Sequence, residues 1–112
     1  MRSMKETEIE NYKRNMVRSV RQSYHEFHKG ELPQASEKMW KAICIHIMLL
    51  SGVVTAKHSD LRELAKKIGE EDMHMFTIGE SLHANFYHDV FDVDVVIDGM
   101  NQIKHHIAIH RH

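Results

Sequence analysis

The stretch from Gln34 to Leu50 constrains this chain more than any other. In its first half Ala35, Met39, Ala42/Ile43 and His46 recur at helical spacing, so one face is apolar and the other polar. From Ile43 onward the segment is apolar on nearly every side, which marks a helix covered by neighbours all round. Pro33 stands where a first-turn proline is tolerated, because its missing N–H would have no intrahelical partner anyway. Lys38, Lys41 and His46 lie within the segment, and it is shorter than the roughly 20 apolar residues a bilayer span requires. The spacing therefore predicts a buried central helix over 33–50 around which the other segments pack.

Before it, Ser3 and Glu6 fit a capping box that opens a first helix over roughly 4–29. Ile9, Tyr12, Met16, Val20, Tyr24 and Phe27 form its apolar stripe, and Gly30 stops it. Only Gly30-Glu31-Leu32 separates this helix from Pro33, and so short a turn sets the two helices antiparallel. After Leu50, residues 51–58 are the least regular part of the chain. Ser59 is a candidate cap for a short helix 60–68 ended by Gly69. Glu70, Glu71 and Asp72 place negative charge at the start of a fourth helix, 72–87, where the dipole favours it. That helix carries two stripes: Met75, Ile78, Leu82 and Phe86, and Met73, Phe76, Glu80, His83 and Tyr87. The last segment alternates like a strand at Phe91-Asp92-Val93-Asp94-Val95. Val93, Val96, Met100, Ile103 and Ile107 nevertheless recur at helical spacing, and Asp92 is placed to cap that helix. The expectation is an all-α, antiparallel up-and-down bundle of four major helices plus one short one, forming a single domain over 1–112.

Fifteen Lys and Arg against sixteen Asp and Glu leave almost no net charge at pH 7. That argues against a binder held by many lysine–phosphate and arginine–phosphate contacts. Cys44 has no intramolecular partner and reads as a small core residue. With no leader peptide evident and no membrane span, a cytoplasmic protein is expected.

The chemistry-bearing residues are mostly histidines, eleven in all. Glu71/His74 and Glu80/His83 are Glu-x-x-His pairs of the kind used in carboxylate-bridged metal bundles, but both lie on one helix, whereas such sites draw on several. His105, His106, His110 and His112 crowd the C-terminus. His106 and His110 could chelate a metal at i, i+4 spacing, yet cationic side chains also suit the negative end of a helix dipole. The expectation is a solvated helix end and no metal site, with a metal-binding helical bundle protein kept as the second alternative. His46 reads as a partly buried, hydrogen-bonded histidine instead of a ligand, and no cofactor is expected.

Three blocks carry a resemblance: Gly30 with Gln34-Ala35-Ser36-Glu37-Lys38-Met39-Trp40, then His58-Ser59-Asp60-Leu61, then Ser81-Leu82-His83-Ala84-Asn85-Phe86-Tyr87. They resemble the archaeal PaREP family, itself similar to the HEPN superfamily of small helical bundles. The resemblance implies an often dimeric bundle. It also implies one of two activities, a metal-independent ribonuclease with an arginine–histidine pair, or a noncatalytic antitoxin, nucleotide-binding or interaction module. Arg21 and His28 fit the spacing of that pair, but no arginine stands between Arg62 and Arg111, where the later helices would carry it. The implied function is thus a noncatalytic, self-associating module for a nucleotide, RNA or a protein partner such as a nucleotidyltransferase. Glu37, Trp40, His58, Glu80, His83, Asn85 and Tyr87 are its candidate ligand or polar-network residues. Helical geometry places Glu80, His83 and Tyr87 on one face turned toward Glu37 and Trp40, with Asn85 making a separate contact. On this reading His83 belongs to the scaffold and Asn85 to function.

Overall fold

A computed structural model describes residues 1–110 and 112. Its helices are α1 (Ile9–His28), α2 (Leu32–Ser51), α3 (His58–Ile68), α4 (Glu70–His88) and α5 (Val93–Ile109). They form an all-α bundle of four long helices and one short one, as the periodicity predicts. A minimal antiparallel ribbon joins β1 (Arg2–Ser3) to β2 (Val53–Val54), pairing Arg2 with Val54 and Ser3 with Val53. Among the described residues, no helix is long and apolar enough to cross a membrane.

The central helix is α2. Ala42 through Met48 are all buried, and α1, α3, α4 and α5 all pack against it. Ser23 Oγ near the end of α1 donates to the Ala35 carbonyl near the start of α2 at 2.7 Å, which fixes the antiparallel hairpin. The buried residues of α1 are Met16, Ser19 and Ser23. Two small polar side chains, which an apolar stripe does not reveal, therefore lie on the buried side of α1. Tyr24 ties α1 to α5 by donating to Asn101 Oδ1 at 2.6 Å.

Two caps differ from expectation. Ser3 is part of β1, so it cannot open α1. A single 3-10 turn at Glu6–Glu8 precedes that helix, and Glu8 Oε1 accepts the Lys5 N–H at 2.9 Å. The ribbon draws residues 2–3 into extended backbone and moves the capping carboxylate two positions along. Ser59 likewise lies inside α3, which starts at His58. Upstream, Thr55 Oγ1 accepts the Lys57 N–H at 3.2 Å and donates to Asp60 Oδ2 at 2.9 Å. In contrast, Asp92 caps α5 as its position indicates, accepting the Val95 N–H at 3.1 Å.

Backbone proximity sets how α4 sits. A Cβ on Gly79 would lie 2.6 Å from Ile43 Cγ2 and 3.0 Å from Trp40 Cε3, so α4 crosses α2 where only hydrogen fits. The buried side of α4 consists of Asp72, Phe76, Gly79, Leu82 and Asn85. It runs between the two apolar stripes.

Candidate functional site

Two constellations of polar side chains flank α2 on different sides. The first surrounds Trp40. Its indole is 7% exposed and packs against three rings. His83 stacks on it at 5.0 Å and 24°, His58 lies 5.0 Å away, and Phe76 lies 5.1 Å away. Carboxylates hold both histidines. His83 Nδ1 is 2.8 Å from Glu37 Oε2, and His58 Nε2 is 2.7 Å from Glu80 Oε2. Arg62 takes the other oxygen of Glu80. Glu37, Trp40, His58, Glu80 and His83 are thereby brought together from α2, α3 and α4.

A groove of about 620 Å³ opens beside these rings, lined by Tyr12 and Asn15 of α1, Lys38, Trp40 and Lys41 of α2, and His58 and His83. That volume suits a small organic ligand. Cys44 forms part of its wall. Burial, reinforced by the carboxylates of Glu37 and Glu80, pushes the Cys44 thiol well above its ordinary range, so it is not a nucleophile.

Asn85 and Tyr87 stand apart from the groove. Asn85 is 1% exposed. Its Nδ2 donates to Ser36 Oγ at 3.1 Å, while Oδ1 accepts the N–H groups of Val90 and Phe91 at 2.9 and 2.8 Å. It clamps the exit of α4, where Asp89 has a left-handed φ of 48°. Tyr87 is 68% exposed and touches His83 only edge-on, at 5.3 Å. His83 turns toward Glu37 and Trp40 as its spacing indicates, and Asn85 makes a separate contact, whereas the exposed Tyr87 corrects the expectation that it would turn the same way as His83. Arg21 and His28 are seven positions apart on α1, about two turns or roughly 10 Å along the axis. Arg21 belongs to a basic surface with Lys13, Arg14 and Arg18.

The second constellation corrects the expectation of a solvated C-terminal helix end, which holds for the exposed His105 but not for His106. His106 is 5% exposed and His46 0%. Helix α5 stays regular to Ile109 and packs its last turn against α2 and the first turn of α4. Asp72 Oδ1 sits between them, 2.8 Å from His46 Nε2 and 2.7 Å from His106 Nε2. His46 Nδ1 lies 2.7 Å from His112 Nε2, and His110 Nδ1 lies 2.7 Å from the His106 carbonyl, to which it donates. Burial pushes His46 down to about 4, against the pull of its Asp72 hydrogen bond, so its ring is neutral at pH 7. Burial raises Asp72, but hydrogen bonds from His106 and His46 together outweigh it and leave the carboxyl below its ordinary value. Neither Glu71/His74 nor Glu80/His83 enters this cluster.

The role of Asp72 was hidden by its place in an acidic first turn, which helix-dipole chemistry explains by itself. A signal was nonetheless present. Continuing the α5 spacing Val96, Met100 and Ile103 by three or four residues reaches His106 and then His110, on the buried side.

No protein-family model, curated protein or solved structure matches this chain.

Proposed function

We propose that this chain is a noncatalytic, HEPN-like helical module whose Trp40 groove binds a nucleotide, and that it acts in a toxin–antitoxin-like setting. The observation that carries this reading is the groove itself. Aromatic and imidazole rings from Tyr12, Trp40, His58 and His83 flank a space of nucleotide size, with Lys38 and Lys41 on its rim. Rings accept a base by stacking, and lysine ammonium groups meet phosphate as point charges. Among the described residues neither lysine is engaged in an ion pair. A noncatalytic role agrees with the lack of any arginine between Arg62 and Arg111, where the later helices would carry the pair. Self-association belongs to the same proposal: Tyr87, Val90, Val93 and Val95 expose apolar surface around the turn from α4 into α5. A second copy of the chain is the proposed cover, and light scattering would return a dimeric mass.

Trp40 is the only tryptophan, so its fluorescence reports on the groove directly. Titration with ATP and with AMP is expected to give a saturable change. The His83→Ala variant and the double variant Lys38→Ala/Lys41→Ala should each weaken binding by about tenfold or more, which corresponds to about 1.4 kcal/mol. Arg14→Ala, outside the groove, should not. Absence of any nucleotide response, or one indifferent to the groove variants, would overturn the assignment. Binding of an RNA oligonucleotide lost in Arg14→Ala and retained in His83→Ala would move function to the basic face of α1.

A further inference from the structure

The cluster at the junction of α2, α4 and α5 has the composition and convergence of a metal centre. His46, Asp72, His106 and His110 each offer a ligand atom, and these atoms all lie within 4.8 Å of one another. They come from the middle of α2, the first turn of α4, and the last turn and C-cap of α5. Four donors around a tetrahedral ion, bound at about 2.0–2.2 Å, stand roughly 3.3–3.5 Å apart. The present spacing brackets that value, from the 2.7 Å His106–Asp72 contact upward. Side-chain adjustments of less than about 1 Å would seat an ion at such bond lengths.

The outer contacts choose the coordinating atoms. His110 gives its Nδ1 hydrogen to the His106 carbonyl, which leaves the Nε2 lone pair for a metal. For His46 the hydrogen that Nε2 now donates to Asp72 Oδ1 would be displaced by the metal, with Nδ1 then donating to His112 Nε2. A backbone carbonyl on the far nitrogen, as at His110, is one of the usual ways a metal-binding histidine is oriented. His106 also lines a surface groove of about 450 Å³ between α4 and α5, which offers a route of entry.

A hydrogen-bonded network without metal would also satisfy these side chains. It does not account for their convergence: the His46 ring has three other imidazoles around it, at 5.2, 5.0 and 4.9 Å, and one shared carboxylate oxygen. A scaffold needs only one partner per buried polar group, and apolar side chains would fill the same volume more favourably.

We propose that His46, Asp72, His106 and His110 form a structural transition-metal site, best suited to zinc(II), that fastens the end of α5 to α2 and α4. Three imidazoles and one carboxylate favour zinc and its neighbours over calcium or magnesium, which call for oxygen-rich shells. Four protein ligands make a closed centre of the structural kind. His112 supports it from outside by orienting His46.

The test uses the full chain expressed without a histidine tag, stripped with a chelator, and titrated with zinc(II) or cobalt(II) alone. The expected result is one ion per chain, a higher melting temperature with zinc, and the intense visible bands of four-coordinate cobalt(II). His106→Gln and Asp72→Asn should abolish the cobalt bands. His112→Ala should weaken zinc binding by about 10-fold to 100-fold, the usual cost of an outer partner. Because the buried variants can fail to fold, His110→Gln at the half-exposed C-cap is the decisive variant, and it should weaken binding more than His112→Ala does. His74→Ala and His105→Ala, which alter the neighbouring groove but not the cluster, should leave binding unchanged. Binding that persists in His110→Gln, disappears in His74→Ala or His105→Ala, or gives no rise in melting temperature would overturn the proposal. None of these outcomes bears on nucleotide binding at Trp40.

Discussion

At the scale of single residues, Asn85 shows how one side chain can decide a turn. Its carbonyl oxygen serves two successive N–H groups beyond the end of α4, and its amide holds Ser36 on the neighbouring helix. Alanine removes all three hydrogen bonds and leaves the N–H groups of Val90 and Phe91 without a protein acceptor. Asn85→Ala is therefore expected to cost about 2–3 kcal/mol in denaturant unfolding, in the range for unsatisfied buried groups. It should leave any response of Trp40 to nucleotide unchanged. A loss below about 0.5 kcal/mol, the scatter of ordinary surface substitutions, would refute the clamp. His83 differs in kind, since it lies on the groove, held between the Trp40 face and Glu37.

At the scale of elements, the two helical glycines have different reasons to be there. Glycine inside a helix costs about 1 kcal/mol relative to alanine, so each substitution starts with that gain. At Gly79 a methyl group would meet Ile43 Cγ2 at 2.6 Å, within a buried, β-branched side chain that has little freedom to turn away. At Gly99 the nearest atom is Ile78 Cγ2 at 3.3 Å, on a partly buried side chain. Gly79→Ala should therefore lose about 1–3 kcal/mol net through overpacking. Gly99→Ala should fall within about 1 kcal/mol of neutral, because the helical gain offsets a small displacement. Thermal unfolding of the two variants checks the ranking, and equal melting temperatures would contradict the close crossing of α4 over α2.

At the scale of the whole molecule, the histidines make stability sensitive to mild acid. His46 is faced by Asp72 from α4, His106 and His110 from α5, and His112 beyond it. Its folded pKa, about 4, is below its ordinary value of 6.5. Stability from the neutral ring is full above the unfolded value and is lost as pH falls toward the folded one. In chelator-treated protein, unfolding free energy at pH 5 should therefore be roughly 2 kcal/mol lower than at pH 7.5 from this group alone. The lowered Asp72 works in the same direction at still lower pH, since its contribution is lost as the carboxylate protonates. Protonation of exposed histidines adds self-repulsion. A melting temperature constant from pH 7.5 to 5 would contradict the burial of a neutral His46.

The helices, their order and the central place of α2 are legible in the chain without its fold. Those follow from local periodicity, from Gly30 and Pro33 at one turn, and from Asp92 at another. The sequence also put Glu80 and His83 on one face of a helix, because i, i+3 spacing is a local property. Contacts between residues far apart in the chain emerge only from packing. Asp72 had an adequate local explanation as a helix-terminal charge, and the C-terminal histidines had one as helix-end cations. Their meeting with His46 depends on how α4 and α5 dock on α2, which no short-range spacing encodes. Ser19, Ser23 and Gly79 belong to the same class. Small residues carry little hydrophobic signal, yet at Gly79 one of them lets α4 cross close over Ile43 and Trp40.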